Sequence, residues 1–190
     1  MKLYERLPDH IDINNKRYRL DLDFRNVLHM LYILERDDLL PMAKDYLALK
    51  CVMRHPPKDT AKAMRAVRLF LFGESSGGDG KRVTSFDQDA DMIRAAFMQE
   101  YRINLFRDKL HWFEFTAFLY NLPNGSKYTE IVGIRSRPIP APTQYNKQER
   151  EWLIRAKADY ALETTDKERE RSYAQSLRRV FADLKTMARK

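Results

Sequence analysis

The chain of 190 residues has one cysteine, Cys51, so neither an intramolecular disulfide framework nor a zinc site built from several thiolates is available to it. A lone thiol suits a reducing cytoplasm. No run of about 18 apolar residues occurs, and the opening MKLYERLPDH lacks an apolar h-region, so the reading is a non-secreted protein with no membrane-spanning helix. Glycine is also scarce: four of the six lie in GESSGGDGKR (73–82). No Walker loop, dinucleotide glycine fingerprint, nucleophile elbow or zinc-helix motif is present. Nor is there a long block of charge of one sign. The net charge is +8, but acids are interleaved with bases throughout, which argues against nucleic acid as the primary partner.

What the chain does contain is helical periodicity. Residues 11–13 and 18–22 alternate apolar with polar on either side of NNKR and predict a small N-terminal β-hairpin, which must pack on helices to persist. Asp23 caps a helix with Phe24, Val27, Leu28, Leu31 and Leu34 on one stripe. Pro41 opens a second helix through Leu47, Cys51 and Val52, stopped by HPP. A third starts at Asp59 or Thr60, turns Ala63, Val67, Phe70 and Leu71 inward and ends at Gly73.

Residues 73–82 read as a mobile surface loop, and further helices are expected over 85–101, 109–123 and 126–134. The alternate prolines Pro138, Pro140 and Pro142 predict an extended arm over 135–143. Asn146 with Glu149 has capping-box spacing and begins a helix carrying Trp152, Leu153, Ala156 and Tyr160. The last stretch, 166–189, is amphipathic, with Tyr173, Leu177, Val180, Phe181, Leu184 and Met187 on one side. The expected fold is therefore mainly α: a helical bundle over 1–163 with a small N-terminal β-hairpin, and a C-terminal helical extension over 164–190.

Three stretches invite a chemical reading. Asp87, Asp89 and Asp91 stand at every second position, but a calcium loop counted from Asp87 would need Gly and Glu where Met92 and Met98 stand. An acidic helix start with Ser85 and Gln88 as a capping box is the better account; on a helix Asp87 and Asp91 share a face while Asp89 points elsewhere. Cys51 and His55 have the i, i+4 spacing of a thiol and its base, yet no third group orients them, and a core cysteine is the simpler reading. HWFEFTAFLY is apolar on nearly all sides, as suits the centre of a bundle or an interface. With no convergent acid, base or nucleophile, the chain reads as a non-enzyme without cofactor or metal.

LYERLPDHIDINNKRYRLDLDFRNVL (3–28), SFDQDADMIRAAFMQEYRINL (85–105), LHWFEFTAFLYNLP (110–123) and SKYTEIVGIRS (126–136), in this order and spacing, resemble the siphophage family commonly labelled gene product fifteen. The RPIPAP arm and the tail after about residue 163 look like additions to the family pattern. Its usual gene position, just upstream of the tape-measure gene in tail clusters, implies a tail assembly chaperone that coats the tape-measure protein in the host cytoplasm and helps recruit the tail-tube protein. On that reading the partner-binding residues are Trp112, Phe115 and Tyr120, if partly exposed, and the tail stripe Leu177, Phe181 and Leu184. For Trp112 and Phe115 a plain core role or self-association into a homo-oligomer fits equally well. The alternative function is a basic DNA-binding accessory protein, using Arg178, Arg179, Lys185, Arg189 and Lys190.

Overall fold

The computed structural model describes residues 4–74 and 82–164. Within them the chain is mainly α, with seven helices and one two-stranded antiparallel hairpin. The chain divides into two compact units, Met1–Val132 and Gly133–Lys190. The division falls inside one helix. Both the glycine-rich stretch, apart from its ends, and the amphipathic tail after 164 lie outside the described residues.

In the first unit, β1 (His10–Ile13) pairs with β2 (Lys16–Arg19) through the two-residue turn Asn14–Asn15. Both asparagines have positive φ, 51° and 59°, which matches the twist a tight hairpin needs and which asparagine tolerates better than most residues. The second strand is therefore earlier and shorter than 18–22: Lys16 and Arg17 are in it, while Leu20 and Leu22 have left it and are buried. The hairpin packs on α3, and Lys62 Nζ reaches Asn14 Oδ1 from that helix.

Helix α1 (Phe24–Glu35) begins as its sequence predicts, with the Asp23 carboxylate accepting from Arg25 N–H at 3.0 Å. Phe24, Val27, Met30 and Ile33 are its buried residues, so Met30 and Ile33 complete a stripe that includes half-buried Leu28, Leu31 and Leu34. Helix α2 (Pro41–Val52) has Pro41 in its first turn but buries Ala48, Leu49 and Val52, leaving Leu47 exposed. Helix α3 (Thr60–Phe72) starts at Asp59, whose carboxylate accepts from Lys62 N–H, and ends at Gly73 with φ 69°, a left-handed value that costs glycine least.

Helix α4 (Ala90–Tyr101) starts later than the expected 85, because residues 86–89 form a turn instead of a first helical coil. Helix α5 (Trp112–Tyr120) is shorter than 109–123. Its start is a capping box that the sequence reading missed: His111 Nδ1 accepts from Phe113 N–H at 3.3 Å, and Glu114 Oε2 accepts from His111 N–H at 3.1 Å. Helix α6 (Lys127–Ser136) runs across the division between the units.

The core of the first unit gathers around aromatic rings. Phe115 stacks on Phe24 at 4.7 Å and on Phe97 at 5.3 Å, with Trp112 at 5.8 Å, so α1, α4 and α5 meet on one side chain. Two main-chain bonds fix the approach of α5 to the entry of α1: Phe24 N–H to Leu110 O at 3.0 Å and Trp112 N–H to Leu22 O at 2.8 Å.

In the second unit the end of α6 precedes an arm without regular structure, and α7 (Lys147–Asp159) follows. Asn146 does not cap α7 through its side chain. Its Oδ1 accepts from Thr143 N–H at 2.8 Å and its Nδ2 donates to Ala141 O at 2.9 Å, so it ties down the arm instead. Glu149, the other half of the expected box, pairs with Arg137. Arg135 Nε donates to Tyr160 O and Lys157 Nζ to Arg135 O, both at 2.6 Å.

Candidate functional site

Each stretch with a chemical reading can be placed. Among the three aspartates, Asp87 and Asp91 are exposed, whereas Asp89 is buried at 1 % exposure. Asp89 Oδ2 accepts from Ser85 N–H at 2.9 Å while Ser85 Oγ accepts from Gln88 N–H at 3.3 Å. The reciprocal cap is thus closed by Asp89, one position later than the Ser85–Gln88 spacing suggests. Asp91 instead pairs with Arg94 at 3.1 Å, and the Arg94 guanidinium lies 3.8 Å over the Phe106 ring. The carboxylates diverge, and among the described residues no cluster of His, Cys, Asp and Glu could hold a metal ion.

Cys51 is half-buried, and burial pushes its thiol pKa up, the opposite of what an activated nucleophile needs. Its Sγ lies 3.5 Å from the Leu47 carbonyl oxygen, an ordinary backbone contact within α2.

The residues singled out for partner binding separate. Trp112 is 3 % exposed and Phe115 1 %, both inside the aromatic core, so the core role weighed for them is the one the structure displays. Tyr120, at the end of α5, is 85 % exposed and presents its whole ring to solvent. Leu177, Phe181 and Leu184 lie outside the described residues.

A surface that the sequence reading did not single out lies on the α1–α2 pair. Tyr32 on α1, Leu40 in the turn, and Met42, Tyr46 and Leu47 on α2 are all exposed, Met42 by 80 % and Leu40 by 76 %. The turn that carries Leu40 is braced by Arg36, whose guanidinium grips both carboxylate oxygens of Asp38 and holds that carboxyl below the usual range. The signal was legible: PMAKDYLALKCV carries apolar residues on more than one face, and a helix with a single buried face must leave the surplus in water. Met42 and Tyr46 fall four residues apart, as do Ala43 and Leu47, which puts them on one side of α2.

Among the described residues a cavity of about 550 Å³ lies between the end of the hairpin, residues 19–23, Arg54 and residues 109–111. Arg19, Arg54 and Lys109 face Asp9, Asp21 and Asp23 there, a balanced lining that selects neither an anion nor a cation.

With these placements made, the comparison with known families is decisive over most of the chain: residues 3–162 match the family described as Bacteriophage Gp15 protein. The chain belongs to that family. It is therefore a phage protein. No curated protein matches the chain, and no solved structure does. Among the described residues no helix is long and apolar enough to cross a membrane.

Proposed function

We propose that this phage protein is a non-enzymatic chaperone of tail assembly, which holds the tape-measure protein and helps recruit the tail-tube protein in the host cytoplasm. The tail-gene setting implied by the family resemblance supplies the context. The observation that carries the reading is the exposed apolar surface of Tyr32, Leu40, Met42, Tyr46 and Leu47. Several exposed apolar side chains on one pair of packed helices are a common mark of a protein contact, and a helical client offers the complementary apolar stripe.

A chaperone must also release its client. Single contacts near micromolar affinity, roughly 8 kcal/mol each, suffice when many copies line one long polypeptide. Exposed side chains on a two-helix surface are suited to that range because they need no rearrangement of the core to bind or to leave.

The test is co-expression of this chain with the tape-measure protein of the same phage. The expected result is a tape-measure protein that stays in the supernatant and elutes together with this chain on size exclusion. A tape-measure protein that pellets equally with and without this chain, and no co-elution at low salt, would remove the reading.

A further inference from the structure

The net positive charge is not spread evenly over the described helices. Between Lys44 and Arg68 stand seven basic side chains against Asp45 and Asp59 alone, and α3 contains no acid at all. Several cations elsewhere are paired with near neighbours, as in Arg17–Asp12, Arg25–Asp23, Arg36–Asp38, Arg94–Asp91 and Arg137–Glu149. Lys58, Arg65 and Arg68 are exposed and take part in no ion pair among the described residues, whereas Arg54, also exposed, shares the cavity lined by Asp9, Asp21 and Asp23. Asp59, one of the two acids, is already engaged as the cap of α3.

The same two helices expose apolar side chains. Met42, Tyr46 and Leu47 run along α2 toward Lys50 and Arg54, while Leu69 and Phe72 are exposed on α3 near Arg65 and Arg68 in sequence. Both helices are held from behind: Ala48, Leu49 and Val52 on one, Ala63, Met64, Val67 and Leu71 on the other, are buried in the core. Two packed helices that combine fixed backbone, exposed apolar side chains and unpaired positive charge ask for an occupant with the inverse pattern.

We infer that the outward face of α2, continued by the basic stripe of α3, is a docking surface for an acidic amphipathic helix. The partner lays its apolar stripe on Met42, Tyr46 and Leu47 and places carboxylates beside the cations of α3 and the end of α2. Its length is set by α2, whose 12 residues span about 18 Å at 1.5 Å per residue, or three to four turns of the partner. A duplex nucleic acid would satisfy the cations but has nothing to cover Met42 and Leu47. An anionic membrane surface is a poorer fit because α2 and α3 are anchored on the core and cannot roll their apolar residues into lipid. The inference rests on the chaperone reading for the identity of the partner, which would be an acidic segment of the client; the chemistry of the surface stands on the charges and exposures alone.

The experiment uses the full chain and a labelled synthetic 20-residue helix with leucines on one face and glutamates on the flanks, read by fluorescence anisotropy. A second peptide with every glutamate replaced by lysine is the control. The expected result is micromolar binding of the acidic peptide alone, weakened severalfold between 50 and 300 mM salt as screening sets in. Arg65→Glu with Arg68→Glu should reduce affinity at least tenfold, as should Met42→Ser with Leu47→Ser, with unchanged melting temperatures, since these side chains are exposed; Tyr120→Ser should bind as the parent does. Equal binding of the two peptides, or retention of affinity in both double variants, overturns the assignment. So does stronger binding of a 20-base-pair duplex or of phosphatidylserine vesicles that the acidic peptide fails to displace. Binding of the acidic peptide without co-elution of the tape-measure protein would remove the chaperone reading and leave the surface; co-elution that survives both double variants would remove the surface and leave the chaperone.

Discussion

The rings of Phe24 and Phe115 lie 4.7 Å apart with 12° between their planes, which joins the first turn of α1 to the middle of α5. Phe115 also touches Phe97 and Trp112, so truncating it opens a cavity shared by three helices. Phe115→Ala is expected to cost about 3–5 kcal/mol of stability by urea denaturation, while Tyr120→Ser, at the exposed end of the same helix, should stay within about 0.5 kcal/mol. Two similar values would mean that α5 is not packed as described.

Asp89 differs from its neighbours in burial and in bonding. Asp89→Ala is expected to lower stability by about 1–3 kcal/mol, because it leaves the Ser85 amide without its carboxylate. Asp87→Ala and Asp91→Ala should each change it by about 0.5 kcal/mol or less. Addition of millimolar calcium should leave the melting temperature of the parent where it was; a rise that Asp89→Ala abolishes would show instead that an ion had been bound.

Arg25 is a clamp between distant parts of the first unit. Its guanidinium pairs with Asp23 at 3.1 Å and donates to the carbonyl oxygens of Leu105 at 2.8 Å and Asp108 at 2.7 Å. Lysine cannot supply that fork. Both Arg25→Ala and Arg25→Lys should therefore speed tryptic cleavage after Arg102, Arg107 or Lys109, measured by mass spectrometry under native conditions. Cleavage at the parental rate in both variants would show that the clamp does not restrain this segment.

His111 caps α5 through Nδ1, and its Nε2 is buried with no hydrogen-bond partner among the described residues. Serine caps equally well without that buried donor. His111→Ser is thus expected to match or exceed the parent in thermal denaturation, whereas His111→Ala should lose about 1 kcal/mol. A destabilisation by serine as large as that by alanine would locate the role of His111 in its packing.

Burial raises the pKa of the Cys51 thiol, so at any given pH a smaller share of it is thiolate than in an unfolded chain. Its contribution to stability is fully present below the unfolded thiol pKa and is lost as pH rises through the higher folded value. Alkylation by iodoacetamide at pH 8 should be slower for the folded chain than for the same chain in urea. Equal or faster reaction when folded would revive the pairing with His55.

How far the sequence reached can be judged from particular residues. Asp23, Pro41, Asp59 and Gly73 mark helix ends correctly because their effects are local, a side-chain acceptor or a preset φ that acts over one turn. Asn146 was misjudged for the same reason in reverse: the capping-box spacing is present, but the nearby arm takes both polar atoms of the side chain first. Trp112 and Phe115 could not be assigned to core or surface from α5 alone, since a helix apolar on nearly every side carries no inward direction until α1 and α4 are placed around it. Leu47 shows the opposite failure. The second helix was traced through Leu47, Cys51 and Val52, but its core is filled by Ala48, Leu49 and Val52, which a list of large apolar residues underweights because alanine is small. The surplus on the other face is what the proposed function rests on.

The clasp formed by Phe24 N–H on Leu110 O and Trp112 N–H on Leu22 O has a bearing on biosynthesis. During translation the hairpin and the first three helices leave the ribosome well before residue 112, so they wait with the seat of Phe115 unfilled. That seat can be filled only once α5 has arrived to shut the entry to α1. A stalled or truncated polypeptide that stops short of α5 should consequently be recognised as unfinished by the proteases of the cell, even though most of its helices have already been made.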